Sequence, residues 1–361
     1  MTGNPLSLYF HIPFCTKKCP YCNFYVIPNK PIFQERLIQG LRQEWKQLTP
    51  SIEKGALSSV YFGGGTPSLF NLEHLREILS WIPDLNIEVT LEANPEDLTL
   101  EKAKELRSIG INRLSLGVQS LDDPLLKNIG RRHSAKQAID ICENAGFTNL
   151  SIDLMYDLPG QTLSTWEATL RAAVKLPITH VSLYNLTIEP HTSFFKMQSE
   201  LKEQMPGDEV SLEMYKMAQE ILGSHRLEQY EISAFGTPSV HNSGYWNGRN
   251  FLGLGPSAFS YMNGTRHRNI CNLNRYQKMV TSGLTPIDFT ETLSPLAQRR
   301  EQLAIHLRLL KGVNDLSVDP ECIKIIDTLI EEGFLMKNEN SISLTQKGIL
   351  FYDTVASEII L

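Results

Sequence analysis

Three cysteines, Cys15, Cys19 and Cys22, crowd the stretch "LYFHIPFCTKKCPYCNFY", directly after an apolar, strand-like run and beside aromatic residues. Thiolates this close repel one another unless a disulfide or a metal holds them. A disulfide would pair two and leave the third over. A structural zinc takes four ligands, and the nearest further donor, His11, lies on the apolar run rather than in the loop. An iron-sulfur cubane held by three thiolates fits the count better, because its fourth iron is then open to a substrate. The trio predicts a 4Fe-4S cluster that does chemistry, with a zinc-stabilised interaction protein as the competing reading.

A loop of this kind needs a frame to hold it. Short β-rich runs recur along the chain: "LSLYFHI" from Leu6, "LSSVYFG" from Leu57, "NIEVTLE" from Asn86, "RLSLGVQ" from Arg113, "LSIDLM" from Leu150 and "HVSLYNL" from His180. Between them lie helical patterns such as "IFQERLIQGLRQEWKQL", "LEHLREILSWI" and "LSTWEATLRAAVKL", with apolar residues at three- and four-residue spacing. Strand alternating with helix predicts parallel strands joined by right-handed crossovers. The expected fold class is α/β, a six-unit (βα) partial barrel.

The runs end in "HIPFC", "GGGTP", "EANP", "GVQS", "DLMYDLPG" and "YNLT". Polar and glycine residues from six places should therefore meet on one rim, the carboxyl ends of the strands, where α/β barrels carry their active sites. "GGGT", Gly63 to Thr66, is not a P-loop, since no Lys-Ser or Lys-Thr follows.

Composition narrows the partners. The net charge is −6, with 42% hydrophobic and 20% charged residues, as in an ordinary globular protein and without the basic excess that grips nucleic acid. No apolar run approaches the length of a membrane span. The opening residues "MTGNPLS" lack the regions of a secretory signal, and Cys142, Cys271 and Cys322 stand alone, so a cytoplasmic protein with free thiols is expected.

Three parts are expected. Residues 1–190 form the barrel with its cluster loop; 191–295 form an extension that completes the barrel side and carries "HNSGYW"; 296–361 read helix, helix, two short strands around "KNENS" and a last helix, a winged-helix-like module. After Leu296 seven Lys or Arg face ten Asp or Glu, which argues against DNA binding.

The C-x3-C-x2-C spacing, with Tyr21 just before the last Cys and a glycine-rich second strand end, resembles the radical S-adenosylmethionine enzymes. "YFGGGTPSLF", "LEANPED", "LSLGVQS", "NIGRRH", "IDLMYDLPGQ", "LYNLTIEPHT" and "HNSGYW" narrow this to a resemblance to the oxygen-independent coproporphyrinogen III oxidase superfamily, most of all to its haem chaperone branch. The likeness runs from Leu6 to the last helix.

The resemblance implies a radical SAM type of partial barrel whose three thiolates leave one iron free for the amino and carboxylate groups of S-adenosyl-L-methionine. It implies that Gly64, Gly65 and Thr66 bring a bare backbone edge to the methionyl end, and that Glu92 accepts hydrogen bonds from the ribose. Gln119, Arg131 and Asp153 match positions lining the adenosylmethionine sites of the oxidase, Tyr9 matches a tyrosine contacting the first molecule, and Tyr21 belongs to the same cofactor-binding set.

Two departures separate the chain from the oxidase. Phe24 stands where the oxidase has a fourth Cys, and Cys15 lies close to the start of the chain rather than after an extension. The expected function is therefore that of a haem chaperone, with haem or porphyrin, a haem-acceptor protein (membrane-associated ones included) and an electron donor as partners. The alternative is the oxidase itself, a coproporphyrinogen dehydrogenase-like oxidoreductase. His241 of "HNSGYW" is the expected axial ligand of haem, ahead of His191, His267 and Cys271.

Overall fold

A computed structural model describes residues 5–52, 56–314, 317–338 and 341–361. The six expected strands form as β1 (Leu6–Ile12), β2 (Leu57–Gly64), β3 (Glu88–Ala93), β4 (Arg113–Gln119), β5 (Leu150–Tyr156) and β6 (His180–Asn185). They pair in sequence order and all in parallel. This is the α/β partial barrel that the alternation of strand and helix called for.

The connecting helices follow from local signals. Helix Pro31–Leu48 opens on Pro31, whose missing N–H costs nothing in a first turn. Asn71 caps helix Leu72–Ser80 by accepting from the Glu73 N–H at 2.8 Å, and Thr162 with Thr165 closes a capping box at the start of helix Leu163–Ala173.

Alternation along the strands sorts the two faces. Leu8, Phe10, Val60, Phe62, Val89 and Leu91 bury outward against the helices, with the Phe10 and Phe62 rings stacked at 5.2 Å. The opposite face lines the lumen and is polar: Ser7, Tyr9, His11, Ser59, Tyr61, Thr90, Glu92, Ser115, Ser151, Asp153, His180 and Ser182. Cross-strand hydrogen bonds satisfy much of it, for example Ser59 to Ser7 at 2.9 Å and Ser151 with His180 at 2.7 Å.

Beyond β6 the chain adds strands to both edges. β7 (Gln229–Glu231) and β8 (Ala234–Gly236) run antiparallel on the β6 side, with β8 next to β6. β9 (Asn250–Leu254) lies parallel to β1, followed by antiparallel β10 (Phe259–Met262), β11 (Thr265–Asn269) and β12 (Ile287–Thr292). Among the described residues the sheet therefore has twelve strands, seven of them parallel. The seventh parallel strand, in "NFLGL", is short, and its glycine dilutes the β-rich signal.

From Pro295 the chain builds helices Pro295–His306 and Pro320–Glu331, the antiparallel pair β13 (Leu335–Lys337) and β14 (Ile342–Leu344), and a helical tail. The expected turn in "KNENS" falls partly on residues 339–340, outside the described residues. This part has its own apolar cluster, including Leu303, Cys322, Ile326, Leu329 and Val355. It meets the barrel through Arg308, whose guanidinium lies 4.2 Å from the Trp246 ring centre and 5.2 Å from that of Tyr352, and donates to Glu231 at 3.2 Å.

Candidate functional site

The cysteine loop leaves β1 at its carboxyl end. Cys15 still runs extended, in a short parallel ladder with Ile27 and Pro28, closed by Ile27 N–H to Pro13 O at 2.7 Å and Asn29 N–H to Cys15 O at 3.2 Å. The Cys22 N–H donates to Cys19 O at 3.1 Å, which makes the tight turn between those two cysteines. His11 Nε2 lies 3.2 Å from the Tyr25 carbonyl and ties the return of the loop to the strand. The three thiols are thereby turned toward one cavity of 1210 Å³.

Two thiols meet polar partners of the rim. Thr66 Oγ1 lies 3.6 Å from Cys15 Sγ, and Arg131 Nη1 donates to Cys19 Sγ at 3.7 Å. Burial raises the Cys15 pKa; the Thr66 hydrogen bond opposes this, and the neighbouring Cys22 and Cys19 add to it. Holding all three as thiolates would call for a positive centre among them.

Gly64, Gly65, Thr66, Glu92, Gln119, Arg131, Asp153 and Tyr21 all line the same cavity, brought there from the ends of β2, β3, β4 and β5 and from the loops beside them. Glu92 accepts from the Tyr61 hydroxyl at 2.8 Å through one oxygen and from the Gly64 N–H at 3.1 Å through the other. Burial pushes its carboxyl up to about 7, against the pull of these two donors. Asp153, held by Ser115 Oγ at 3.2 Å, is pushed up to about 6 for the same reason.

Arg131 is fixed by Asn94 Oδ1 and the Gly117 carbonyl, each at 2.9 Å, while its buried Nε has no partner. Gln119 ends β4 with φ +64, a backbone state a non-glycine residue adopts only under constraint. Burial also raises the Tyr21 hydroxyl well above its ordinary range, with the Cys19 thiol adding to it.

Three expected residues sit differently. Tyr9 points into the lumen below the rim, its hydroxyl 3.1 Å from His11 Nδ1 and its ring stacked on Tyr61, and it does not line the cavity. Gly65 lines the cavity, but its missing side chain is required by the chain itself, since a Cβ would lie 2.6 Å from the Phe14 carbonyl oxygen. The expected open edge toward the ligand therefore coincides with a packing requirement of the loop.

His241 is the larger correction. It is 1% exposed and lies beneath Tyr61, away from the cavity, with Ser59 Oγ 2.9 Å from Nδ1 and the Tyr245 hydroxyl 2.8 Å from Nε2. Ser59 already donates to Ser7, so Nδ1 carries the proton and Nε2 accepts from Tyr245. Neither nitrogen is free for an axial bond to haem. Nor do His191, His267 or Cys271 line the cavity.

The sequence reading missed Asn94, Gly117 and Tyr61. Asn94 joins Arg131 to Thr66, donating to Thr66 Oγ1 at 3.0 Å, and its presence in "EANP" was the available signal.

The donor set fits the expected group. Among the described residues no three His, Cys, Asp or Glu side chains form a single-ion site. A cubane asks for something else: three thiolates spaced around a shared space, one for each of three iron corners. Cys15, Cys19 and Cys22 would hold it. Glu92, the unpartnered Nε of Arg131 and the glycine-lined end of β2 leave polar and open surface beside it for adenosylmethionine, which supplies radical chemistry when bound.

Residues 9–173 match the Radical SAM superfamily. The chain is 34% identical to heme chaperone HemW of Bacillus subtilis, covering 97% of both chains, and 35% identical to heme chaperone HemW of Lactococcus lactis, covering 100% of this chain and 99% of the other. It is 33% identical to heme chaperone HemW of Haemophilus influenzae over 96% of both. In fold it resembles coproporphyrinogen III oxidase (HemN) from Escherichia coli, with a TM-score of 0.86 and 22% identity over 99% of this chain and 91% of that one. A cysteine loop over a polar rim, within a sequence one third identical to HemW proteins from end to end, places the chain in the HemW family of radical SAM proteins.

Proposed function

We propose that this protein is a haem chaperone: it binds haem beside a 4Fe-4S cluster and S-adenosyl-L-methionine, and passes the haem to an acceptor protein. The observation that carries the reading is the likeness to proteins named heme chaperone HemW along nearly the whole of both chains. Phe24 supports it. This residue stands at the mouth of the cluster cavity, 62% exposed, and offers an aromatic face where the oxidase pattern has a fourth cysteine.

In this reading Cys15, Cys19 and Cys22 hold the cluster, Thr66 and Arg131 donate to two of the thiolates, and Glu92 accepts from the ribose. Gly64, Gly65, Gln119, Asp153 and Tyr21 shape the rest of the cofactor pocket. A reductant must supply the cluster's electron, so an electron donor is a further partner. No helix among the described residues is long and apolar enough to cross a membrane, which suits a cytoplasmic carrier.

Haem titration of the purified protein tests the proposal. A saturable shift of the Soret band at one haem per chain, followed by loss of that band to an apo-haemoprotein, is the expected result. Absence of saturable binding would overturn it.

A further inference from the structure

Glu88 and Glu92 stand four residues apart on β3 and so share the lumen face. Glu88 receives three donors from the start of helix Val240–Trp246: Ser239 Oγ at 3.1 Å, Val240 N–H at 2.9 Å and His241 N–H at 2.8 Å. These bonds set the helix against the sheet. They bring the His241 ring to 4.9 Å from that of Tyr61, and its bonds to Ser59 and from Tyr245 stop the imidazole from turning. From its other neighbour, Tyr9, Tyr61 receives a stacked ring at 6.1 Å. Tyr61 is left with its hydroxyl on Glu92 Oε1.

We infer that the "HNSGYW" helix is a brace for cofactor binding: His241 fixes Tyr61, and the Tyr61 hydroxyl orients the Glu92 carboxylate toward the ribose diol of adenosylmethionine. The inference rests on the ribose reading of Glu92 given above. Tyr61 is a positioning residue that acts through Glu92. With one protein donor on each oxygen, the carboxylate plane is fixed and a lone pair on each oxygen stays free for a ribose hydroxyl. Without the Tyr61 donor the carboxylate can rotate, and burial then favours its neutral form, a weaker acceptor. The brace also explains why a motif histidine is sealed away from the cavity.

Tyr61→Phe keeps the ring and removes only the hydroxyl. The cluster-loaded protein is titrated by calorimetry with adenosylmethionine and, separately, with methionine, which has the same amino and carboxylate groups but no ribose. Adenosylmethionine should bind about tenfold more weakly to Tyr61→Phe, equal to about 1.4 kcal/mol, and methionine should bind as before. Equal losses for the two ligands, or no loss for either, would overturn the inference. Glu92→Gln separates the two layers of the argument. If it binds adenosylmethionine like wild type, the ribose reading itself fails; if it binds weakly while Tyr61→Phe does not, only the brace fails.

Discussion

His241 and Ser59 are joined by a 2.9 Å hydrogen bond near the amino ends of the barrel strands, whereas the cluster cavity opens at their carboxyl ends. A motif histidine that invites reading as a haem ligand is thus part of the barrel's polar interior. His241→Ala should leave haem affinity unchanged and destabilise the fold by about 2–4 kcal/mol, because Ser59 and Tyr245 lose a partner and a cavity is left. Haem titration beside urea denaturation measures both. A folded variant with weakened haem binding would restore the ligand role.

The same burial lowers the His241 pKa to about 3, with the Arg249 and Arg113 charges adding to it. Its folded pKa is thus depressed below the ordinary value of about 6.5, and the stability it contributes is present above that pH and lost as pH falls toward about 3. His241→Gln should flatten this acid limb of the stability curve. An unchanged limb would show that the imidazole is solvated in the folded state.

Glu44 has the opposite sign. It is buried among Tyr276 Oη at 2.5 Å, Asn269 Nδ2 at 2.6 Å and Gly255 N at 2.8 Å, and burial outweighs these donors to push its carboxyl up to about 7. A raised carboxyl favours the folded state at low pH, and that advantage is lost as pH rises through about 7. Urea midpoints at pH 5.5 and pH 8 should therefore differ less in Glu44→Gln than in wild type. A larger difference in the variant would contradict the assignment.

Gly65→Ala places a Cβ 2.6 Å from the Phe14 carbonyl oxygen, which belongs to the base of the cysteine loop. Relief requires moving that backbone, at about 1–3 kcal/mol for overpacking. Iron content after anaerobic reconstitution should fall. Gly117→Ala meets chiefly the movable Gln119 Nε2 at 3.1 Å and should keep its iron while binding adenosylmethionine more weakly. Full iron in Gly65→Ala would refute the contact.

Much of this frame was legible in the sequence, and for identifiable reasons. β1 to β6 are apolar on their helix-facing side and end in punctuated strings, so these six parallel strands and their rim could be read directly, whereas the six strands added to the two edges of the sheet could not. The cysteine spacing favoured a cluster over zinc because three thiols with no fourth donor in the loop match a cubane better than a four-ligand site. Tyr61 and His241 were not legible. Their roles depend on a helix some 180 residues further along packing beneath β2, a contact that no local pattern encodes. Glu44 reads as one more carboxylate on an amphipathic helix until Tyr276 and Asn269 close over it.

A haem carrier and a porphyrinogen decarboxylase make different demands on the cysteine-lined cavity. Decarboxylation requires each reacting propionate to be held against the radical carbon, where a misplacement of about 1 Å can cost on the order of a hundredfold in rate. The deciding measurement is an anaerobic assay of the reconstituted protein with reductant, adenosylmethionine and coproporphyrinogen III, followed by product fluorescence, on a preparation that binds haem stoichiometrically. Bound haem with no protoporphyrinogen IX is the expected result; efficient formation of that product would overturn the haem-carrier function.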